Sequence, residues 1–222
     1  RYTEGLFASF DGAATFDAYG AGLPSGVEEL IPDPDDAQGL YARAGEGLYH
    51  SDDFGATWSQ LPIAPIEYFK NLAAAPGGRL LAVEHFDVYL SVDAGATWTA
   101  VAAFVPYSGD VFASARFSSD GSRAYLATFD GMLRSDNGGA SFSNPDPTFT
   151  EWVDVFTVDP NDADTVLAGT NFNGVFRTLD GGASWTPLPG SPAGNSQWFS
   201  QDPDGAIWYG TLNAVHRSTD GG

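Results

Sequence analysis

The chain has 222 residues, no cysteine, and a formal net charge of −20, from 29 acidic side chains against nine lysines and arginines. That charge excludes nucleic acid and anionic membrane surfaces as natural partners, which it would repel, and the missing thiols exclude disulfides and cysteine chemistry. No apolar run approaches the roughly 18 residues of a spanning helix, so direct membrane insertion is not expected.

Taken in order, the chain alternates short apolar runs with turns, and no stretch has a helical period. A run at 5–8 leads into Ser-Phe-Asp-Gly-Ala-Ala-Thr-Phe, opening at Ser9. Runs at 40–42 and 47–50 lead into Ser-Asp-Asp-Phe-Gly-Ala-Thr-Trp from Ser51, and runs at 80–83 and 87–90 into Ser-Val-Asp-Ala-Gly-Ala-Thr-Trp from Ser91. Those at 125–127 and 131–134 precede Ser-Asp-Asn-Gly-Gly-Ala-Ser-Phe from Ser135, and those at 166–169 and 174–177 precede Thr-Leu-Asp-Gly-Gly-Ala-Ser-Trp from Thr178. Runs at 207–210 and 214–217 lead into a sixth opening at Ser218, with Asp220 in third place. The openings recur every 40 to 44 residues, a period that marks propeller blades or a solenoid. A further run lies upstream of most pairs, ending in an Asp-, Pro- or Gly-rich turn, and a short strand follows each motif. Four strands per forty residues predict an all-β fold, a β-propeller of four-stranded antiparallel blades.

Each turn residue has a physical task. The third-position side chain (Asp11, Asp53, Asp93, Asn137, Asp180) accepts hydrogen bonds from its own turn. The fifth-position glycine (Gly55, Gly95, Gly139, Gly182) supplies positive φ. The eighth-position ring (Trp58, Trp98, Phe142, Trp185) anchors the next strand in apolar surroundings. This pattern, S-x-D-x-G-x-[ST]-[WF], resembles the Asp-box, or BNR, repeat across nearly the whole chain. The resemblance implies a propeller and leaves activity open, because that family includes sialidases, xyloglucan-cleaving enzymes, sortilin-type receptors and photosystem assembly factors. Ala13 in place of glycine and Asn137 in place of aspartate predict two looser turns.

With strands A to D counted outward from the axis, the motif joins C to D. The chain enters in a C strand and leaves in one, about 21 strands or five blades in a single domain spanning 1–222. That count reads as part of a larger ring and of a longer polypeptide.

Strand alternation puts the C–D turns on one rim and the B–C loops on the other face, where propellers bind ligands. The turn aspartates are therefore structural pegs, with no catalytic or metal role assigned. The candidate ligand face consists of Glu46, Glu84, His85, Phe86, Asp87, Phe129, Asp130, Asn171, Phe172, Asn173 and Asn213. Rings that stack on pyranose faces and amides that bond hydroxyls make such a set resemble a sugar-binding surface. Short hairpins also attract Asn, Asp and Gly for conformational reasons alone. A sialidase would need a cluster of three arginines, but Arg134, Arg177 and Arg217 each precede the turn motif and read as a repeated blade feature. His50, His85 and His216 have no metal-ligand spacing, and the acidic turn at 159–164 lacks the glycine and final Glu of an EF-hand loop. It reads as an A–B turn, as do 33–36 and 202–204. No cofactor is expected. The leading expectation is a non-catalytic propeller, secreted, periplasmic or at a cell surface, that binds a protein or glycan partner. The alternative is a glycoside hydrolase-like propeller that cuts a polysaccharide with paired carboxylates.

Overall fold

The structure is a computed structural model and describes residues 5–66, 70–84, 87–101, 114–192, 194–201 and 206–219. His85, Phe86, Asp220 and the turn at 202–204 lie outside them. Among the described residues there are 20 strands and no helix, as the sequence pattern predicts. A hairpin of β1 (Leu6–Ala8) and β2 (Asp17–Tyr19) comes first. Blade I is β3 (Val27–Pro32), β4 (Leu40–Ala44), β5 (Gly47–Ser51) and β6 (Ser59–Leu61); blade II is β7 (Asn71–Ala75), β8 (Arg79–Val83), β9 (Val88–Ser91) and β10 (Thr99–Val101). Blade III holds β11 (Ser114–Phe117), β12 (Ala124–Thr128) and β13 (Gly131–Ser135). Blade IV holds β14 (Val153–Asp159), β15 (Asp162–Thr170), β16 (Val175–Thr178) and β17 (Thr186–Pro187), and blade V holds β18 (Ser196–Gln201), β19 (Ile207–Thr211) and β20 (Val215–Ser218). The five blades form an antiparallel propeller whose inner strands touch in the order β3, β7, β11, β14, β18.

One detail departs from the expected count. The fourth strand of blade III shrinks to one bridge between Arg134 and Ser143, because Pro145 and Pro147 follow at once and cannot donate to a ladder. In blade IV the short strand expected after the motif is β17, which pairs with Phe176 and Arg177.

The five turn motifs among the described residues close in the same way. The Ser51 hydroxyl donates to Asp53 Oδ1 (2.8 Å) and accepts from Gly55 N (2.8 Å); Asp53 then accepts from Thr57 N (2.8 Å) and Thr57 Oγ1 (2.7 Å). Equivalent bonds occur from Ser91, Ser135, Thr178 and Ser9. The two divergent turns are thus no looser: Asn137 accepts from Ser141 N and donates to its hydroxyl, and Ala13 simply takes φ 69°. Positive φ falls on two successive residues rather than on the glycine alone, so Phe54 (58°) and Ala94 (57°) adopt it as well. Local donors hold Asp11, through Thr15 first, and Asp180, through Ser184 first, at about 2 against an ordinary 3.8.

Between blades, a polar residue near the start of an inner strand clasps the next inner strand. Glu29 accepts from Leu72 N (3.0 Å) and Asn71 Nδ2 (2.9 Å), and Asn71 Oδ1 accepts from Ala115 N (2.7 Å). Burial pushes the Glu29 carboxyl up, against the pull of these donors and of Arg43. On the turn rim Arg134 bonds Asp136 and the Gly181 carbonyl of the next blade, and Arg123 pairs with Asp164. The arginine before the motif at blade III is therefore a staple between blades, as its placement in the strand implies. The acidic segments at 33–36 and 159–164 are A–B turns, with Asp35 accepting from Gly77 N and Gly78 N of the neighbouring blade.

Candidate functional site

The B–C loops and the ends of the D–A links share one face, joined by backbone bonds such as Gly45 N to Gly26 O (3.3 Å). The face is most developed at the boundary of blades III and IV. There the link entering β14 is clamped from both sides: Gly131 N donates to Glu151 O (2.9 Å), and Asn171 N donates to Trp152 O (3.0 Å). Glycine at 131 is required, because a Cβ there would sit 2.2 Å from the Phe149 carbonyl and φ is +95°. Phe149 itself is buried and stacks on Trp185 at 4.6 Å, so a packed interior fixes the base of the link.

The clamp presents Trp152 between the two loops. Its ring centroid is 4.3 Å from that of Phe129 on the blade III loop and 6.3 Å from that of Phe172 on the blade IV loop. Trp152 remains 38% exposed and Phe172 67% exposed. Polar groups border the rings: Glu151 Oε2 accepts from Asn173 Nδ2 (2.7 Å), Asn171 lies at the base of the same loop, and Asp130 is exposed beside Phe129. An apolar platform with oriented amide and carboxylate groups at its rim can stack on the face of a sugar ring and hydrogen-bond its hydroxyls.

Of the residues singled out from the sequence, the structure gathers Phe129, Asp130, Asn171, Phe172 and Asn173 at this boundary. Glu46, Asp87 and Asn213 are exposed on the corresponding loops of blades I, II and V, and Glu84 closes its loop by donating its N–H to Asp87 O (2.8 Å). Among the described residues no hydrogen bond or ring contact ties Glu46, Asp87 or Asn213 to the aromatic group. Sequence reasoning missed Trp152 and Glu151. Their only local signal is a tryptophan immediately before an inner strand, where an exposed indole serves no packing need.

His50 Nε2 lies 3.0 Å from Asp33 Oδ2 and its ring packs on Tyr41, a structural role. No group of three or more His, Asp or Glu side chains able to hold a metal ion occurs among the described residues.

Comparison with known proteins bears on this geometry. The profile of the BNR/Asp-box repeat matches residues 49–60. A xyloglucanase from a Paenibacillus species is 28% identical over 208 residues, covering 72% of this chain, and xyloglucanase Xgh74A from Acetivibrio thermocellus is 27% identical over 192 residues, covering 76%. The chain spans 20% of the length of each. Among solved structures, the Niastella koreensis GH74 enzyme superposes with a TM-score of 0.77 at 20% identity, over 96% of this chain and 33% of that one. YCF48 bound to D1 peptide gives 0.67 at 14% identity, over 91% of this chain and 66% of its own. These likenesses concern the fold. Together with the repeated turn and the five blades, they identify the chain as an Asp-box (BNR) repeat β-propeller.

Proposed function

We propose that the chain is part of a secreted, glycoside hydrolase-like propeller acting on a polysaccharide, and that the Phe129–Trp152–Phe172 platform contacts the saccharide. The observation that carries this reading is the exposed aromatic group with its carboxylate and amide rim, on the face that a propeller offers to ligands. The xyloglucanase relatives support a β-glucan with side-chain sugars as the substrate class and favour this reading over a non-catalytic scaffold. Extracellular placement draws support from the same relatives and from the extracellular domain of BT4673, whose fold superposes with a TM-score of 0.72.

In this reading Trp152 and Phe172 stack on pyranose rings, while Glu151, Asn171 and Asn173 orient hydroxyls. Hydrolysis requires two carboxyl groups, about 5–5.5 Å apart for retention or about 6.5–9.5 Å for inversion. Glu46, Glu84, Asp87, Asp130 and Glu151 are carboxylates of this face from which such a pair would be drawn. Reducing-end release from xyloglucan by the complete protein tests the activity. Turnover that falls with Glu84→Gln or Asp87→Asn supports hydrolysis on this face. Binding of xyloglucan without turnover returns the protein to the scaffold reading, and neither binding nor turnover ends the polysaccharide reading.

A further inference from the structure

Asparagine is thermolabile, and most of all before glycine. A residue without Cβ leaves its backbone nitrogen free to attack the preceding side-chain carbonyl carbon. The chain has two such pairs, Asn137-Gly138 and Asn173-Gly174. Both asparagines are exposed, both glycines are buried, and both glycines take positive φ (67° and 78°). Solvent access and the sign of φ therefore do not separate the pairs. Their hydrogen bonds separate them.

Asn137 is held on every side. Its Oδ1 accepts from the Ser135 hydroxyl (2.8 Å) and Ser141 N (3.0 Å), and its Nδ2 donates to Ser141 Oγ (2.9 Å). The attacking nitrogen is engaged as well, since Gly138 N donates to Ser122 O (2.9 Å). At the second pair, among the described residues, the amide is tied only by Nδ2 donating to Glu151 Oε2 (2.7 Å), and Gly174 N makes no hydrogen bond. Glycine is nonetheless required at 174, because a Cβ there would lie 2.7 Å from Ser191 Oγ.

We infer that Asn173 is a site of spontaneous deamidation in the folded protein, and that Asn137 is protected from it. Gly174 N forms a bond to Asn173 Cγ, the Cγ–Nδ2 bond breaks, and the amide leaves as ammonia with the Gly174 proton. Water then opens the succinimide to aspartate or isoaspartate at position 173. Either product sets a carboxylate against Glu151 where an amide donor stood, and like charges repel. Isoaspartate also adds a carbon to the main chain beside Gly174, whose carbonyl closes the loop by accepting from Thr170 N (2.9 Å) and Thr170 Oγ1 (2.8 Å). The loop that carries Phe172 thus has a built-in lifetime. Its effect on saccharide binding rests on the polysaccharide reading; the modification itself does not.

The test incubates the 222-residue chain in mildly alkaline water enriched in heavy oxygen, then follows label uptake in its peptides by mass spectrometry. Uptake at Asn173 should run at least about tenfold faster than at Asn137, the factor supplied by one extra hydrogen bond broken on the way to the transition state. In urea the two pairs should react at comparable rates, since the protection belongs to the fold. Equal rates in the folded chain, faster reaction at Asn137, or a preference for Asn173 that persists in urea overturns the inference. None of these readouts depends on whether a saccharide binds.

Discussion

The III–IV and IV–V boundaries are built from equivalent strands, yet one is filled and the other is open. At III–IV, Trp185 stacks on Phe149, which belongs to a cluster of eight buried residues. At IV–V, among the described residues, three buried residues border a cavity and His216 Nε2 has no hydrogen-bond partner, the turn that follows β20 lying outside those residues. The repeat sets the spacing of the sheets, and at III–IV the aromatic delivered by the turn, Trp185, joins the neighbouring sheets. The filled boundary is also the one that carries the aromatic face. Phe149, locked below, leads three residues later to Trp152, clamped above by Gly131 and Asn171. Packing in the interior and presentation of a ligand surface belong to one link.

The sharpest way to break the contrast is to empty the filled boundary. Trp185→Ala should cost about 3–5 kcal/mol, the usual range for deleting a large packed ring, whereas Leu188→Ala beside the open cavity should cost well under about 2 kcal/mol because its surroundings are already loose. Urea unfolding of both variants checks this, and equal costs would show that the two boundaries are alike. A smaller effect should come from the turn itself. Ser135 is fully buried and its hydroxyl accepts from Gly139 N, so Ser135→Ala leaves that donor unsatisfied and should cost about 1–3 kcal/mol in the same assay.

Acid should act together on the turns that carry an aspartate. Asp11 and Asp180 titrate at about 2 in the fold against an ordinary 3.8, and the shifts of Asp53 and Asp93 have the same sign. A carboxylate whose folded value is depressed stabilises the fold above its unfolded value, and that contribution fades as pH falls through the folded value. Melting temperature should hold steady down to about pH 4 and then fall toward pH 2. A melt that is flat across that window would contradict the role given to the aspartates.

What was legible in the sequence follows from the range of the forces involved. The turn motif is satisfied within eight residues: Ser51, Asp53, Gly55 and Thr57 meet one another's needs, so register, rim and blade number could be read directly. The paired left-handed residues were not legible, since Phe54 and Ala94 are poor choices for that conformation and are held in it by the hydroxyl and carboxylate on either side. Phe129 and Phe172 stand on predictable hairpins, but nothing local shows that they meet. The residue that joins them, Trp152, is placed by the bond of its own carbonyl to Asn171 N and of the adjacent Glu151 carbonyl to Gly131 N, partners far away along the chain in either direction. The loss of a fourth strand in blade III was written in Pro145 and Pro147, and the repeat obscured it.

Two tryptophans of nearly equal exposure, Trp152 at 38% and Trp198 at 40%, give the most direct test of the functional reading. Trp198 lies on an inner strand with its ring against Gly210, and among the described residues no ring contact ties it to the aromatic group. Calorimetric titration of xyloglucan oligosaccharides into Trp152→Ala and Trp198→Ala should show affinity reduced at least about tenfold, or about 1.4 kcal/mol, in the first and unchanged in the second. Unchanged affinity in Trp152→Ala, or an equal loss in both, would contradict a saccharide platform at the boundary of blades III and IV.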